Sequence, residues 1–387
     1  MANVERRVDV AIVGAGIVGL AHGLAAAKQG KRVVVFERNL QCVGASIRNF
    51  GMVWPIGQPG GTLLDRALRS RKIWLELSAA AGFHANPCGS LHLAYRPDEL
   101  AVLEEFIAER QQYTNTVALL AADAVNQKSR AVRTEGLLGA LWSDTEVIVD
   151  PREAIRKLPN YLSRTYGVEF HFGTVVTDIA SPYLLADGKR WQAEQIFVCS
   201  GADFETLYPE LYRDSSITKV KLQMMRTTPQ PDGFSIGVPL CGGLTLTHYA
   251  AFANCPSLAA LKARIEQETP YFPQWGIHVM VSQNALGELI IGDSHEYGDN
   301  PDPFNRAHLN QYILDYLKSF FQAPSLDMAA TWHGVYAKLP GKTELVLCPE
   351  TGVTIINALS GAGMTLSFGL AEEVVAAISG EAVVAAA

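Results

Sequence analysis

The sequence has little of two features that would assign it to a broad class at once, an excess of basic residues and a long apolar run. It carries 32 lysines and arginines against 39 aspartates and glutamates, a formal net charge of -7. Because nucleic acids are bound through a surplus of Lys and Arg, this balance argues against a nucleic-acid partner. The most apolar C-terminal stretch, residues 371–387, contains three glutamates, which is too polar for the roughly 20 residues of a membrane span.

Cysteine is sparse and scattered. The six cysteines form no C-x-x-C pair and no Cys/His cluster at the spacing of metal ligands, so we expect reduced thiols and no structural metal. The N-terminus enters its first apolar run at Val8 without the apolar core and cleavage site of a secretion signal. Together these absences predict a cytoplasmic protein.

A strand–helix–strand pattern opens the chain. Residues 8–13 are largely apolar, residues 17–29 have a helical composition, and residues 31–36 lead into a second apolar run. A right-handed crossover makes two such strands parallel, and open parallel sheets bind ligands at the carboxyl ends of their strands. We therefore predict an α/β fold that begins with a Rossmann-like domain.

A glycine-rich turn joins the first strand to the helix. Its residues are Gly14, Ala15, Gly16, Ile17, Val18 and Gly19. Glycines permit the tight turn and let backbone N–H groups approach a pyrophosphate at the start of the helix. Glu37 ends the second strand about 20 residues further on, where its carboxylate can accept hydrogen bonds from a ribose hydroxyl. This context predicts a bound dinucleotide and leaves NAD and FAD both open.

The rest of the chain alternates between this sheet and a second domain. A helix at residues 151–166 and a strand at 195–202 return to the first sheet. Residues 219–325 are β-rich apart from a helix at 305–321, with strands expected at 244–252, 277–281 and 288–292. A strand at 345–356 and a helix at 359–380 close the chain. The predicted boundaries are 1–85, 145–215 and 326–387 for the dinucleotide-binding domain, and 86–144 and 216–325 for an interleaved β-rich α+β substrate domain.

Further segments resemble the amine- and amino-acid-oxidising flavoprotein family that includes D-amino acid oxidase, glycine oxidase and monomeric sarcosine oxidase. Residues 44–51 are similar to the family's loop over the pyrophosphate and flavin. Residues 174–176 and 200–202 are similar to its strands at the adenosine half, and residues 360–366 to its turn facing the flavin pyrimidine. The resemblance implies FAD. Beyond the glycine turn and Glu37, the implied cofactor-binding residues are Arg38, Ala45, Ser46, Arg48, Asn49, Phe50, Gly51, Val175, Ser200, Gly201, Gly361, Ala362, Gly363, Met364 and Thr365.

The same resemblance bears on how FAD is held and reoxidised. Relatives with covalent FAD use a cysteine near the segment matching residues 332–340 or a histidine in the early loop. This chain has Gly334 in the former and no histidine between Glu37 and Ile56. We therefore predict non-covalent FAD. Because no second G-x-G-x-x-G unit offers a nicotinamide domain, electrons are expected to pass to oxygen or to an external acceptor.

One departure from the family concerns the substrate. The family usually carries Arg-Pro where this chain has Tyr336-Ala337, which puts an ordinary amino-acid carboxylate in doubt. Residues 48–55 further resemble a branch of the family that oxidises aminophosphonates. Candidate donors to the anionic group of the substrate are then Arg48, Tyr336, Lys338, His248 and His295.

The implied reaction is oxidation of a C–N bond of a small amine to an imine, which hydrolyses to an aldehyde plus an amine or ammonia. The candidate catalytic residues, which orient the substrate, are Arg48, His248, Tyr336 and Lys338. Three alternatives stay open: an amino-acid or sarcosine-type oxidase or dehydrogenase that binds its carboxylate through Arg48 or Lys338, a nicotinamide-dependent dehydrogenase, and a non-catalytic flavin-binding module.

Overall fold

The structure, a computed structural model, describes residues 4–114 and 116–380. The strands are β1 (Val4–Val13), β2 (Val33–Glu37), β3 (Met52–Val53), β4 (Ala85–Asn86), β5 (Ser90–Ala94), β6 (Val117–Leu120), β7 (Gly139–Ser143), β8 (Val147–Val149), β9 (Glu169–Phe172), β10 (Val176–Ala180), β11 (Tyr183–Ala186), β12 (Lys189–Val198), β13 (Thr218–Pro229), β14 (Leu240–Cys241), β15 (Met280–Gln283), β16 (Glu288–Gly292), β17 (Glu296–Tyr297), β18 (Met328–Lys338), β19 (Leu345–Leu347) and β20 (Val353–Asn357). The helices are α1 (Ile17–Lys28), α2 (Thr62–Ala81), α3 (Pro97–Arg110), α4 (Ala122–Lys128), α5 (Pro151–Tyr166), α6 (Pro209–Asp214), α7 (Leu258–Glu268), α8 (Tyr271–Gln274), α9 (Ala307–Phe320) and α10 (Gly363–Ser379). Within the described ranges, no helix has both the length and the apolar character that crossing a membrane requires.

The first sheet contains the predicted strand–helix–strand unit. Its strand order is β10-β11-β12-β1-β2-β9, and β20 pairs with both β12 and β19. Because β1 is parallel to β2 and to β12, the carboxyl ends of these strands lie at one edge of the sheet. In the core on one face of the sheet, Ile12, Val35 and Phe197 pack with Leu20 of α1 and Phe368 of α10. This core fixes the start of α1 and the start of α10 against the same sheet.

The second sheet has the strand order β17-β13-β16-β15-β14-β5-β7-β6, with β18 beside β13. Its pairs are antiparallel except that of β14 with β5. Leu91, Phe106, Phe252 and Leu317 lie in its core, where α3, α7 and α9 contribute apolar side chains. A parallel-stranded α/β part and a β-rich α+β part in one chain confirm the predicted fold class.

Strand β18 crosses one of the predicted domain boundaries. The boundary at residue 326 assigns Met328–Lys338 to the dinucleotide-binding domain, whereas this strand pairs with β13 along its length, from Thr218 with Lys338 to Thr227 with Met328. The long β13–β18 ladder therefore belongs to the second sheet. The domain boundaries themselves remain a prediction.

The predicted strand at residues 244–252 was wrong. This segment forms two short 3₁₀ helices, Gly243–Thr247 and Ala250–Phe252. The Thr247 hydroxyl donates to the carbonyl oxygen of Leu244 at 2.9 Å. Such local bonds from threonine to the backbone compete with the ladder of a sheet.

The predicted single strand at residues 345–356 was also wrong, because the segment is a hairpin. β19 and β20 pair in antiparallel fashion, from Leu345 with Asn357 to Leu347 with Ile355. Gly352 lies between them with a φ of 82°, a left-handed conformation that glycine adopts without steric cost. The turn leaves β20 parallel to β12 in the first sheet.

Candidate active site

A cavity of about 1080 Å³ is lined by residues of both sheets. Ligand pockets usually measure about 300–1,000 Å³, so this one has room for a dinucleotide and a small substrate together. The part next to the first sheet, lined by Gly14, Glu37, Val175 and Ser200, is called the cofactor end below. The part next to the second sheet is called the substrate end, and it is lined by His248, His278, His295, Tyr336 and Lys338.

The glycine turn at the cofactor end has no room for side chains. Gly14 has a φ of 102°, and a Cβ placed there would lie 2.4 Å from the carbonyl oxygen of Cys199. A Cβ on Gly19 would lie 1.9 Å from the carbonyl oxygen of Gly14. The backbone of β1 and the start of α1 are therefore in direct contact. This brings the first N–H groups of α1 to the cavity wall, where a helix start favours an anion.

Glu37 is held rigidly beside this turn. Its carboxylate is buried and accepts hydrogen bonds at 3.0 Å from the backbone N–H groups of Ala15 and Asn39. At the rim, Arg38 forms an ion pair with Asp203 at 2.7 Å, and Val175 is exposed to the cavity. These positions suit the ribose and adenine of a dinucleotide.

Two loops meet at the middle of the cavity. In the loop that contains residues 45–51, the side chain of Asn49 donates to the carbonyl oxygens of Ala45 and Ser46 at 3.0 and 3.1 Å, and accepts from Gly51 N–H at 2.8 Å. These bonds fix the course of the loop. Arg48 in this loop lines the cavity, and its guanidinium donates to the carbonyl oxygen of His333 on β18 at 3.2 Å.

The second of these loops leads into α10. Gly361 turns the chain with a φ of 80°, and residues 360–366 line the cavity. The N–H groups of Thr365 and Leu366 donate to the carbonyl oxygen of Ala362, whereas Gly363 and Met364 begin the helix and have no intrahelical acceptor. The start of α10 therefore presents free donors and a positive helix end to the cavity.

Three histidines come together at the substrate end. The ring centroids of His248 and His278 lie 3.8 Å apart, and those of His248 and His295 lie 4.7 Å apart. His278 exchanges backbone hydrogen bonds with Asp293, and its Nε2 lies 2.9 Å from Asp293 Oδ1. His295 Nδ1 lies 2.9 Å from the carbonyl oxygen of Gly276.

The side chains of the substrate end differ in solvent exposure and in the charged groups around them. His248 is exposed and lines the cavity, whereas His278 and His295 are buried. Desolvation, reinforced by its histidine neighbours and Lys338, holds the pKa of His248 well below its ordinary value. Burial also lowers the pKa of His295, although Asp293 opposes this effect. Both imidazoles are therefore neutral near pH 7, and burial holds the pKa of the Tyr336 hydroxyl well above its ordinary value.

The side chains of Tyr336 and Lys338 connect the histidines to the middle of the cavity. A Cβ on Gly361 would lie 3.3 Å from Tyr336 Oη, which places this hydroxyl beside the turn that leads into α10. Lys338 Nζ donates to Tyr297 Oη at 3.2 Å. The donors of the substrate end thus lie beside the loop expected to face the flavin.

All four residues predicted as catalytic, Arg48, His248, Tyr336 and Lys338, line this cavity, and their roles remain predictions. His278 and Asp293 were missed, because each lies in or next to an apolar strand and nothing in the local pattern marks it as functional. The expectation of no structural metal rested on sequence spacing. Spacing could not show that His248, His278 and His295 offer ligand atoms within 4.8 Å of one another.

Comparison with known proteins decides the family. The profile of the family described as FAD dependent oxidoreductase (DAO) matches residues 9–377. The chain belongs to this family. FAD is thus its cofactor, as predicted, and the nicotinamide-dependent alternative is set aside.

A curated relative and two solved structures give the degree of similarity. Glycine oxidase of Geobacillus kaustophilus (strain HTA426) is 27% identical over 208 residues, which cover 51% of this chain and only 55% of that enzyme. The crystal structure of glycine oxidase from Geobacillus kaustophilus matches with a TM-score of 0.78 at 21% identity, over 98% of this chain and 96% of that one. Iminodiacetate oxidase from Chelativorans sp. BNC1 matches with a TM-score of 0.76 at 19% identity, over 97% and 96%. At such identities the structural likeness establishes the shared fold.

The cofactor end fits FAD on three observations. Gly14 and Gly19 have no room for side chains, so the backbone of the turn can approach a pyrophosphate directly. The Glu37 carboxylate is fixed where a ribose hydroxyl would meet it. The unpaired N–H groups at the start of α10 can face the flavin pyrimidine carbonyl and stabilise negative charge on it.

Proposed function

We propose that this protein oxidises the C–N bond of a small amine that carries an anionic group, and that this group is a phosphonate. The observation that carries the proposal is the joining of two kinds of site in one cavity. The cofactor end has the features that fit FAD, and the substrate end supplies Lys338, Tyr336 and three imidazoles beside the start of α10. An amine that reaches both has its carbon at the flavin and its anion among these donors.

The donor set favours a tetrahedral anion over a carboxylate. A carboxylate is best met by one guanidinium in a planar, bidentate contact. Among the described residues of the cavity wall only Arg38 and Arg48 are arginines. Arg38 pairs with Asp203, and the guanidinium of Arg48 donates to His333. The remaining donors are separate groups, Tyr336 and Lys338 on β18 and the histidines on three loops, and such a set can meet the three oxygens of a phosphonate one by one.

Bound FAD would accept a hydride from the α-carbon of the amine, which leaves an imine that water hydrolyses to an aldehyde plus an amine or ammonia. The protein's part is to position the C–H bond and to exclude water. Leu222, Met224 and Met280 form an apolar wall of the cavity. Lys338 and Tyr336 orient the anionic end, and the start of α10 stabilises negative charge on the flavin.

The proposal is tested by anaerobic bleaching of the flavin with two matched amines, 2-aminoethylphosphonate and β-alanine, which differ in the anionic group. We expect the second-order rate constant of flavin bleaching to be at least about tenfold higher for 2-aminoethylphosphonate than for β-alanine, which is equivalent to about 1.4 kcal/mol. A preference for β-alanine would contradict the phosphonate assignment. Bleaching by no amine would contradict amine oxidation and leave the non-catalytic flavin-binding module.

An amino-acid or sarcosine-type oxidase is the second candidate. It is favoured by the glycine oxidase and iminodiacetate oxidase relatives, and by the position of Arg48 on the cavity wall. Glycine and sarcosine in the same bleaching assay distinguish it. In either case oxygen or an external acceptor would take the electrons from reduced FAD, and oxygen consumption during turnover separates these two.

A further inference from the structure

The three histidines of the substrate end have the arrangement of a ligand set. His248, His278 and His295 come from three separate loops, and each offers a ring nitrogen that lies within 4.8 Å of the other two. Imidazole nitrogens are the preferred ligands of zinc and its neighbours among the divalent metals. Two of the three rings, those of His278 and His295, are buried, and that of His248 is exposed.

One ring nitrogen of each buried histidine lies beside an oxygen atom. His278 Nε2 lies 2.9 Å from Asp293 Oδ1, and His295 Nδ1 lies 2.9 Å from the carbonyl oxygen of Gly276. Metal-binding histidines characteristically contact a carboxylate or a backbone carbonyl through the nitrogen that does not bind the metal. The nitrogens left for a ligand are then His278 Nδ1 and His295 Nε2.

Two atoms of this cluster are buried without a satisfied hydrogen bond. Within the described part of the chain, neither His278 Nδ1 nor Asp293 Oδ1 has a hydrogen-bond partner. Unsatisfied buried polar atoms are uncommon, because burial removes the hydrogen bonds that water would make with them. His278 is 3% exposed, so bulk water does not compensate this nitrogen. A metal ion bound among the rings would give this nitrogen a partner.

We propose that His248, His278 and His295 bind a divalent transition-metal ion of the zinc class, with one coordination position open to the cavity. Three histidines and an open position form a site of the catalytic rather than the structural type. Asp293 contributes a carboxylate beside His278 that fixes the ring and offsets part of the charge of the ion. The metal would lie on the same wall as Lys338 and Tyr336.

The distances, and the stacking of the His248 and His278 rings at an interplanar angle of 26°, require one ring to move and turn, because an imidazole binds a metal in the plane of its ring. Zinc binds nitrogen at about 2.0–2.1 Å, so tetrahedral ligands lie about 3.3 Å apart, whereas the three nitrogens lie within 4.8 Å of one another. His278 and His295 are fixed by burial and by their partners. His248 is exposed to the cavity, and neither of its ring nitrogens has a hydrogen-bond partner among the described residues. It is therefore the ring that closes on the ion.

The role of the metal rests on the proposed function: its open position would bind an oxygen of the phosphonate. This contact would replace that of the arginine which the family usually carries where this chain has Tyr336-Ala337. Metal binding itself does not depend on that role. The experiment therefore measures zinc first, by calorimetric titration of the tag-free, FAD-containing protein. We expect one zinc per chain with a dissociation constant of about 1 μM or lower, equivalent to about -8 kcal/mol.

Three variants locate the site. His248→Ala removes the exposed ligand without opening the core, and we expect zinc affinity to fall at least about 100-fold with the flavin content unchanged. Asp293→Asn should weaken zinc binding by about 10–100-fold, as loss of a partner outside the ligand set does. His308→Asn, which removes an exposed imidazole outside the cluster, should leave zinc binding unchanged.

Absence of saturable zinc binding, or equal affinity in wild type and His248→Ala, would overturn the metal site and leave amine oxidation untouched. Conversely, zinc binding with no flavin bleaching by any amine would support the site and contradict the proposed function. Binding of 2-aminoethylphosphonate after chelation of the metal completes the test. A dissociation constant unchanged by chelation would overturn the role of the ion in holding the phosphonate.

Discussion

The two ends of the cavity are built from the chain in different ways. At the cofactor end, residues 14–19 form one continuous turn, and Glu37 follows at the end of the next strand, hydrogen-bonded to that turn. At the substrate end, the side chains come from the segments around residues 248, 278, 295 and 336. The first end depends on local backbone geometry, whereas the second depends on how distant strands pair.

Strand pairing explains how the substrate end is assembled. Val220 on β13 lies opposite Tyr297 on β17 and opposite Tyr336 on β18. One residue of a central strand thus fixes the positions of two aromatic residues from its neighbours. The difference between the ends predicts that added atoms are most harmful at the cofactor end, whereas charge and polarity matter most at the substrate end.

The largest effect is expected at the glycine turn. Gly19→Ala would place a methyl group 1.9 Å from the carbonyl oxygen of Gly14, a distance that only a shift of the backbone can relieve. We expect the purified variant to be folded and colourless, with FAD affinity reduced more than about 100-fold. Visible absorbance and circular dichroism measure this. Gly60→Ala, where the nearest atom is 3.8 Å away, is the control and should stay yellow. Full flavin content in Gly19→Ala would contradict the claim that added atoms are most harmful at the cofactor end.

A large effect on stability is expected in acid from His22, which lies on α1 beneath the cofactor end. Burial lowers its pKa to about 4. As the pH falls below about 6.5, the unfolded chain takes up a proton on His22 and the folded chain does not, so stability is lost between pH 6.5 and 4. The loss attributable to His22 is about 3 kcal/mol.

Urea unfolding of wild type and His22→Leu at several pH values measures this loss. The slope of unfolding free energy with pH should be reduced in the variant. It should not vanish, because burial also lowers the pKa of His92 in the second domain, to about 3. His308→Leu, which replaces an exposed histidine, should keep the wild-type slope. Equal slopes in wild type and His22→Leu would contradict the assignment.

At the substrate end a change of charge should act on binding rather than on folding. Lys338→Met keeps the length of the side chain and removes the charge. We expect KM for 2-aminoethylphosphonate to rise about tenfold with kcat nearly unchanged, since a charge-assisted hydrogen bond contributes about 1.5–3 kcal/mol. Lys318→Met, on the exposed face of α9, should show no change. A fall in kcat at constant KM would place Lys338 in the chemical step instead.

The smallest effect is expected at the rim of the cofactor end. Arg38 pairs with Asp203 at 2.7 Å, but its side chain is 48% exposed. Exposed ion pairs contribute about 0–1 kcal/mol, so Arg38→Gln should weaken FAD binding by no more than about fivefold. Reconstitution of the apoprotein, followed by flavin fluorescence, gives the dissociation constant. Arg213→Gln, in an exposed pair with Glu210, is the control and should not change the dissociation constant. A much larger loss of FAD affinity in Arg38→Gln would show a direct contact between Arg38 and FAD.

The sequence predicted the cofactor end well because its physics is local. The turn at 14–19, α1, and Glu37 at the end of β2 follow from patterns within 30 consecutive residues, and the structure has them as expected. The substrate end was predicted in part. His248, His295, Tyr336 and Lys338 were predicted as donors to the anionic group because Tyr336-Ala337 stands where the family usually has Arg-Pro. By contrast, His278 and Asp293 resemble ordinary residues beside strands. Their meeting depends on the pairing of β15 with β16, which no short pattern encodes.

The most direct test of the account is whether an anion at the substrate end is sensed by the flavin. Ethylphosphonate, which has the anionic group but no amine to oxidise, is titrated into the aerobic yellow protein while the visible flavin bands are recorded. We predict a saturable change in these bands and a weaker dissociation constant in Lys338→Met with full flavin content. Flavin bands that do not respond to ethylphosphonate, or that respond equally in wild type and Lys338→Met, would contradict the claim that the two ends form one active site.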